Sequence, residues 1–470
     1  MAKSPRLKVK QFVEAEYRDA ELGDARRSRR LQKVAAAAAQ GPGESFPTIA
    51  GSDGALEGIY RFLSNEAVSP DGLLAGHYRE TVKRIHAADV VVIAHDTCEF
   101  TYGEHDRDDL DAVGGGTSYG FRAHMALAVE AGPLRQPLGL IGLLPFEKPV
   151  GAKRNRKRNV KPKSSQRWSE LVSEVRGRLG DTQRVIHAMD READDYSLLA
   201  ALCSSNERFV VRQSTDRRLD RWNPEPKVRS LLVGASAIAE RAVDVSERRR
   251  AVRRQLPSRR SPREARTARI EVSATTVIVP RPTTSRATWE EELTLNLVHA
   301  LETEPPAGCD PIEWWIWTSE PIQTEEQVLF VLDCYRCRWV IEEYFKALKT
   351  GCSLERRQLE SKHALLNALA IFCPIAWRML LLRTHSRAHP DLPASHALTP
   401  TQLMALRGLY EQGQSKPLPK QLTAREALRA IAKVGGHITN NGDPGWMVIG
   451  RGFDRVLNAE AGILIARGEK

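Results

Sequence analysis

The chain has 470 residues, of which 41% are apolar, and it carries 70 Lys and Arg against 59 Asp and Glu, a formal net charge of +11. This composition excludes a chain that is disordered throughout, and no run reaches the roughly 18–20 apolar residues of a membrane span. The seven cysteines are scattered without the spacing of a disulfide framework, which favours reduced thiols. We therefore expect a cytoplasmic protein of about three domains that has no membrane partner.

The first 70 residues are predicted to be mostly helical. Asp24 is a good N-cap for one helix, and a second helix is predicted over 55–63. Three arginines fall on one side of the first helix, opposite much of its apolar stripe: Arg26, Arg27 and Arg30. We interpret this pattern as a small helical DNA-binding module, and an ordinary basic surface is the alternative.

From about residue 88 the hydrophobic pattern changes to that of short strands. Strands are predicted at 90–94, 124–129, 137–144, 184–189 and 208–211, and helices at 166–179 and 193–204. The second and third strands are separated by Gly132 and Pro133, which indicates an antiparallel hairpin. The order β-β-β-α-β-α-β predicts an α/β fold in which helices cover a mixed sheet.

The remainder of the chain is predicted in three parts. Residues 213–313 alternate Thr and Val between arginine-rich and proline-rich stretches, and we interpret them as a mostly β insertion. One long helix is predicted over 327–349. Beyond residue 361 the chain is rich in Leu and Ala and is predicted to be helical to its end.

Positive charge is concentrated in two runs. Residues 153–167 hold eight Lys or Arg and no acid, and residues 248–269 hold ten arginines and one acid, Glu264. A single run of this kind is typical of a solvated loop. Two runs within a folded chain favour a polyanionic partner such as nucleic acid.

Two aspartates are placed where sheets often carry catalytic groups. Asp96 follows the first predicted strand and Asp190 follows the fourth, and the ends of strands are where α/β proteins place their chemistry. Each alone is more often a turn residue or a helix N-cap. Neighbouring carboxylates repel unless a cation lies between them, and Mg²⁺ binds through one or two carboxylates together with substrate phosphate. Two such ions about 3.5–4 Å apart could catalyse a phosphoryl transfer.

A third carboxylate lies in the long predicted helix. At about 100° per residue, four polar residues fall within an arc of roughly 60°: Tyr335, Arg338, Glu342 and Lys349. One acid beside a phenol and two cations suits a metal ion and the oxygens of a phosphate. Glu343 lies about 100° from Glu342 and is the weaker candidate. A solvated stripe of ion pairs is the alternative.

This spacing, Tyr335-x2-Arg338-x3-Glu342-x6-Lys349, resembles the Y-R-E-K signature of the DDE transposases of the insertion-sequence-four family. The segments around the two aspartates, 96–97 and 190–194, are similar to the acidic motifs of that family. Residues 22–27 and 57–62 are similar to its N-terminal module, and residues 206–212 and 318–321 to its core.

The resemblance implies an RNase H-like catalytic core in which Asp96, Asp190 and Glu342 hold two Mg²⁺ ions, with Mn²⁺ able to substitute. It also implies four parts in the chain: a helical domain that recognises transposon ends (1–75), the core (76–212 with 314–365), a β insertion (213–313) and a helical dimerisation region (366–470).

The implied activity is excision of the element by nicking, formation and opening of a DNA hairpin, and joining of the 3′ ends to target DNA. The partners are double-stranded DNA, as inverted-repeat ends and as target, and a second copy of the chain in the synaptic complex. Trp314 takes the place of the aromatic residue on which a flipped base stacks, and phosphates near the cut are bound by Arg212, Tyr335, Arg338 and Lys349. Two alternatives are an RNase H-like structure-selective nuclease and a catalytically silent DNA-binding relative.

Overall fold

The structure, a computed structural model, describes residues 5–103, 107–146, 166–180, 184–245, 264–283, 288–388, 390–396, 398–413, 417–438 and 444–468. The chain divides into two units, which are described separately. The first unit comprises Met1–Gly180 and Trp339–Lys470, and the second unit comprises Asp181–Arg338.

The first unit begins with helices: α1 (Pro5–Tyr17), α2 (Ala25–Gln40), α3 (Phe46–Ala50), α4 (Asp53–Leu63) and α5 (Pro70–His86). Side-chain caps fix where two of them begin. The Asp24 carboxylate accepts a hydrogen bond from the backbone N–H of Arg26 at 2.7 Å, and the Ser52 hydroxyl accepts one from the N–H of Ala55 at 3.4 Å. The predicted helical N-terminal region is therefore confirmed. Residue 75, at the predicted domain boundary, lies inside α5.

Four antiparallel strands follow in the first unit: β1 (Val91–Gly103), β2 (Asp111–Val113), β3 (Ser118–Glu130) and β4 (Pro137–Phe146). β3 pairs with each of the other three, so the predicted hairpin of β3 and β4 is confirmed. Helix α6 (Gln166–Leu179) packs against β3 and β4 and buries Trp168 and Leu171.

The end of the first strand was predicted wrongly. The apolar run ends at Ala94, but β1 continues through Asp96, which pairs with Met125 of β3, and it ends only at Gly103. β1 continues past its apolar run because β3 is long enough to pair with it there. The extent of a strand depends on its pairing partner as much as on local hydrophobicity. Asp96 is therefore a residue in the middle of a paired strand.

The second unit is a mixed sheet with helices: β5 (Val185–Met189), α7 (Tyr196–Ser204), β6 (Arg208–Arg212), β7 (Ala239–Val245), β8 (Arg266–Pro280), β9 (Glu292–Glu302), β10 (Glu313–Thr318) and α8 (Glu325–Cys337). The strand order is β5-β6-β10-β9-β8-β7. β5 and β6 are parallel, and the other neighbours are antiparallel. The predicted mixed sheet is confirmed, and strands β7, β8 and β9 of the predicted insertion extend the same sheet as β5 and β6.

The predicted helix over 327–349 is not continuous. α8 ends at Cys337, and α9 (Val340–Lys346) begins after a tight turn at Arg338 and Trp339, followed by a π-helical turn at Ala347–Gly351. At the turn the N–H of Arg338 bonds to the carbonyl of Tyr335 at 3.1 Å, and the N–H of Glu342 bonds to the carbonyl of Trp339 at 3.2 Å. These bonds span three residues, so the winding is tighter than in an α-helix. The 60° arc calculated for a regular helix does not hold across this break.

The rest of the first unit is helical: α10 (Lys362–Ala388), α11 (Pro400–Gly413), α12 (Ala424–Val434) and α13 (Trp446–Ala466). Among the described residues, α10 is the one helix long and apolar enough to cross a membrane, and 83% of its apolar stretch is buried. It packs against α5 and β4, which identifies it as a core helix. The last three helices share a small apolar core that includes Leu406, Ile431 and Val456.

Candidate active site

Asp96 lies half-buried on β1 of the first unit. Its Oδ1 accepts a hydrogen bond from the backbone N–H of Thr97 at 2.7 Å. Cys98, two residues further along the same face of the strand, is buried, and burial raises the pKa of its thiol. The charge of Lys349 lowers the Cys98 pKa and that of Asp96 raises it. Asp96 and Lys349 are distant in the chain, but the charges of both act on the Cys98 thiol.

The opposite face of β1 carries a buried aromatic and basic cluster next to Asp96. The Thr97 hydroxyl lies 3.0 Å from Nδ1 of His124 and accepts a hydrogen bond from Nε of Arg167 at 3.3 Å. His124 meets Trp168 edge-on, with ring centroids 4.2 Å apart. Burial, reinforced by the charge of Arg167, lowers the pKa of His124 to about 3, so its ring is neutral at physiological pH. The sequence patterns did not reveal this cluster, because its members come from three separate elements.

Helix α9 carries Glu342 and Glu343 and packs against β1. Glu343 accepts hydrogen bonds from Lys346 at 2.6 Å and from the Trp446 indole at 3.1 Å, and it pairs with Arg383. Although burial opposes ionisation, the Lys346 hydrogen bond and the charge of Arg383 hold the pKa of Glu343 at about 2. Glu343 is therefore used to join α9 to α10 and α13. Glu342 is half-buried and lies about 100° around the helix.

Lys349 lies in the π-helical turn that follows α9. Its ammonium donates a hydrogen bond to the backbone carbonyl of Glu99 on β1 and lies 3.1 Å from the Glu355 carboxylate. It also lies 5.6 Å from the centre of the Phe100 ring. Lys349 is thus placed directly on β1, and Glu355 is a partner that sequence reasoning missed. The Glu99 carboxylate itself pairs with Arg122, at 2.8 Å.

Asp190 follows β5 in the second unit, as predicted from the sequence. It is half-buried, and its Oδ1 accepts a hydrogen bond from the N–H of Glu192 at 2.9 Å, which caps a short 3₁₀ turn at Arg191–Ala193. The next two aspartates have structural roles. Asp194 pairs with Arg217 at 2.5 Å, and Asp195 caps α7.

Four other predicted site residues meet within the second unit: Arg212, Trp314, Tyr335 and Arg338. Arg212, at the end of β6, donates a hydrogen bond to the carbonyl of Glu313 at 3.1 Å. Burial lowers the pKa of Arg212, and a hydrogen bond with Tyr335 opposes this. The Trp314 and Tyr335 rings meet edge-on at 5.6 Å, and the Arg338 guanidinium carbon lies 6.0 Å from the Tyr335 ring. The charge of Arg191 also acts on Arg212, and this residue was not among those predicted.

The three tryptophans of β10 differ in exposure. Trp315 is 5% exposed, Trp317 is fully buried, and Trp314 is half-buried beside Tyr335. Trp315 is held by stacking on His299, with ring centroids 3.7 Å apart. A plain core role therefore fits Trp315 and Trp317, whereas Trp314 keeps part of its ring accessible.

The three N-terminal arginines lie on α2 with different contacts. The Arg26 side chain is 84% exposed and lies 3.3 Å from Asp24. Arg27 donates a hydrogen bond to the carbonyl of Leu22 at 2.8 Å. The guanidinium of Arg30 lies so close to Gly58 of α4 that a Cβ there would meet it at 2.6 Å.

Most of the two basic runs lies outside the described residues. In the first run, Arg167 is described and lies buried behind β1. In the second, Arg266 pairs with Glu302 at 2.8 Å and Arg269 pairs with Glu240 at 2.8 Å. These described arginines contribute to the sheet of their own unit, and the predicted role of residues 153–163 and 248–263 in DNA binding stays a prediction.

The donor set suits a hard divalent cation, because Asp96, Asp190 and Glu342 are half-buried carboxylates. Within the described residues of either unit, no three His, Cys, Asp or Glu side chains are grouped closely enough to hold a metal ion. The first unit carries Asp96 and Glu342, and the second carries Asp190.

Two protein families match the chain. Residues 9–68 match the transposase DNA-binding family, and residues 156–374 match the transposase DDE domain. The first match covers α2 and α4 with the three arginines. The second includes Asp190 and Glu342 together with the cluster of Arg212, Trp314, Tyr335 and Arg338, while Asp96 precedes it. DDE transposase domains in general have an RNase H-like fold and use divalent metal ions, which agrees with the mixed sheet and the carboxylates described above. Together the two matches support a DNA transposase with a DNA-binding domain and a DDE catalytic domain.

Proposed function

We propose that this chain is a cut-and-paste transposase of the insertion-sequence-four family. It binds the inverted-repeat ends of its element, excises the element through a hairpin intermediate, and joins the 3′ ends to target DNA. One observation carries the proposal: a transposase DNA-binding domain precedes a DDE domain in which Asp190 closes β5 and Glu342 lies on α9. It acts in the cytoplasm on chromosomal DNA.

Three carboxylates would hold the metal ions of the reaction: Asp96, Asp190 and Glu342. Ionised carboxylates only accept hydrogen bonds, and their oxygens are the ligands that Mg²⁺ prefers, with Mn²⁺ as a substitute. When bound, two such ions would stabilise charge on both the attacking and the leaving oxygen of an in-line displacement. Asp96 is oriented by the Thr97 N–H and Asp190 by the Glu192 N–H.

The basic and aromatic residues would bind the DNA around the cut. The guanidinium groups of Arg212 and Arg338 and the Tyr335 hydroxyl are grouped in the second unit, where they supply donors for phosphate oxygens. Lys349 supplies a point charge beside β1. Trp314 offers a partly accessible ring on which a flipped base can stack.

The helical ends of the chain would recognise DNA and assemble the complex. Arg26, Arg27 and Arg30 contact the backbone of the inverted repeat from α2 within residues 1–75. Residues 366–470 supply the contacts of a homodimer in the synaptic complex. The catalytic core is assigned to 76–212 with 314–365, and residues 213–313 form the insertion.

The test separates binding from chemistry. Asp96→Asn, Asp190→Asn and Glu342→Gln should each abolish nicking in Mg²⁺ while binding of end DNA is unchanged, because only the metal ligands are altered. Glu343→Gln is the comparison on the same helix, and its nicking is measured per folded molecule because its carboxylate is engaged by Lys346 and Arg383. Cleavage by the parent should also occur in Mn²⁺ and fail in Ca²⁺. Substantial nicking by any of the three variants would remove that residue from the site.

Strand transfer distinguishes the proposal from the nuclease alternative. Ends cut in advance, with free 3′ hydroxyls, should be joined to a supercoiled target plasmid by the parent. A structure-selective nuclease would cut branched DNA and give no joined product, and a silent relative would bind ends and do neither.

A further inference from the structure

A tight hairpin follows β6 in the second unit and presents an exposed tryptophan. The N–H of Val228 bonds to the carbonyl of Arg217 at 2.8 Å, and the N–H of Leu219 bonds to the carbonyl of Pro226 at 3.1 Å. At its tip, Trp222 is 77% exposed, more than any other large apolar side chain in the described part of the chain. Tryptophan is highly buried on average, so this degree of exposure is uncommon for it.

Hydrogen bonds hold the tip of this hairpin in one conformation. The Asp220 carboxylate accepts hydrogen bonds from the backbone N–H groups of Trp222, at 2.6 Å, and Asn223, at 3.1 Å. These bonds lower the pKa of Asp220, so the cap persists at neutral pH. The Arg221 guanidinium lies 5.3 Å from the Trp222 ring. The tryptophan is therefore presented by an ordered turn, with a cation beside it.

The base of the hairpin is fixed to the segment that carries Asp190. Asp194, four residues after Asp190, pairs with Arg217 at 2.5 Å and accepts hydrogen bonds from the N–H groups of Ser214 and Thr215 at 2.7 and 2.9 Å. Val228 anchors the other strand of the hairpin and is fully buried. The tip therefore has a fixed position relative to Asp190.

The length of the hairpin sets its reach. Five residues lead from Arg217 to Trp222, and an extended chain spans at most about 17 Å over that length. Base pairs are about 3.4 Å apart along each strand of the duplex, so this reach corresponds to roughly five base pairs. The tip therefore lies within about 17 Å of Arg217, which is paired with Asp194 in the segment that carries Asp190.

The chemistry of the tip suits DNA bound without regard to its sequence. Residues 216–229 carry five Lys or Arg and three acids, which favours a polyanion. The Asn223 amide, which could read a base edge, is engaged within the hairpin, because it donates to Asp220 at 2.9 Å. What remains accessible is the indole ring and a guanidinium, and base–aromatic stacking tolerates every sequence.

We propose that Trp222 stacks on a base of target DNA that is unstacked next to the insertion site and that the Arg221 guanidinium beside the ring contacts the DNA. This inference rests on the proposed function, because target DNA is the partner that a transposase binds with least regard to sequence. The inverted repeat, by contrast, is recognised by a dedicated DNA-binding domain. The hairpin is therefore a target-capture element attached to the segment of the second acid.

The experiment uses the full chain assembled on end DNA that has been cut in advance. Trp222→Ala should reduce the rate of strand transfer at subsaturating target by about 5- to 150-fold, the factor that corresponds to losing one base–aromatic stack. Its affinity for target DNA should fall by the same factor. Trp222→Phe should retain most of both, because it keeps a ring. Val233→Ala, which alters another exposed apolar side chain (74% exposed), is the matched control and should behave like the parent.

The results for Trp222→Ala either support or overturn its role in binding target DNA. Nicking of end DNA and the thermal unfolding temperature should be unchanged in Trp222→Ala, because the side chain is exposed. Strand transfer at the parental rate would overturn the inference, and so would an equal loss of end nicking, which would place Trp222 on end DNA. Failure of the proposed function has a different signature, since the parent itself would then form no joined product.

Discussion

Two carboxylates of the first unit, Glu343 on α9 and Asp96 on β1, have different surroundings. In the helices, Glu343 is surrounded by Lys346, Arg383 and the Trp446 indole. On β1, Asp96 is half-buried in the middle of the strand and is oriented by the backbone N–H of its neighbour. Glu343 holds elements together, and Asp96 is the acid that we propose for metal binding.

The same contrast recurs among the aromatic residues of the second unit. Trp317 is fully buried and Trp315 stacks on His299, whereas Trp314 is half-buried and Trp222 is largely exposed. Residue type therefore does not identify a functional group, but the way in which its surroundings engage it does. Several predictions below compare a residue that contacts other protein groups with a residue that we assign to DNA or metal.

The largest effect is expected for Glu343. Glu343→Gln leaves the buried guanidinium of Arg383 without its carboxylate, and removing one partner of a buried pair costs about 3–5 kcal/mol. Its thermal unfolding temperature should therefore fall clearly below that of Glu342→Gln, while nicking per folded molecule stays within about threefold of the parent. Loss of nicking with unchanged stability would reverse the assignments of the two glutamates.

The pH dependence of this effect has a defined sign. The pKa of Glu343 is held at about 2, below its usual value of 4.5. The stabilisation is therefore present above pH 4.5 and is lost as the pH falls toward 2. The difference in unfolding temperature between the parent and Glu343→Gln should shrink over that window.

Asp454 on α13 should show the opposite sign. Its carboxylate lies against Gly43, where a Cβ would meet Oδ2 at 2.7 Å. Burial and the charge of Glu44 raise its pKa to about 7. Stability is therefore lost as the pH rises from about 4 to 7. At pH 8, Asp454→Asn should raise the free energy of unfolding by on the order of 2–4 kcal/mol, and its unfolding temperature should exceed that of the parent. This gain should vanish near pH 4. A gain that does not depend on pH would contradict the assignment.

Sequence patterns predicted the local elements well because periodicity and caps are local. Asp24 begins α2 and Asp190 follows β5, as expected. The break after α8 was missed because Arg338 and Trp339 keep helical backbone angles and neither is Gly or Pro. The continuation of β1 through Asp96 was missed because it depends on pairing with β3, far along the chain.

The other features that the sequence did not predict are contacts between residues distant in the chain. Periodicity indicated the strands of residues 213–313, but not that they extend the sheet of β5 and β6. The pairing of Glu343 with Arg383 and the contact of Lys349 with Glu99 link separate elements. The face calculation favoured Glu342 over Glu343 for a regular helix, and that choice stays a prediction.

Trp314 should show a smaller effect that is specific to one step. Trp314→Ala should leave the first nick unchanged and slow hairpin formation by about 5- to 150-fold, because the flipped base loses its stacking surface. Trp317→Ala is the comparison, because it empties a fully buried site. It should lower the unfolding temperature and should not slow one reaction step selectively. Equal slowing of both steps by Trp314→Ala, with reduced stability, would make Trp314 a core residue.

The smallest effect is expected for the arginines of α2. Arg26 is 84% exposed, so Arg26→Gln should remove one phosphate contact and reduce the slope of log affinity against log salt by about 0.9. Arg27 already donates to the carbonyl of Leu22. Arg27→Gln should therefore lower the unfolding temperature as well as the slope, and neutralising all three arginines should flatten the slope most. The measurement is a salt titration of end-DNA binding by the full chain. Counterion release accompanies every phosphate that a protein neutralises. An unchanged slope in the triple variant would therefore mean that Arg26, Arg27 and Arg30 contact no phosphate and are ordinary surface residues.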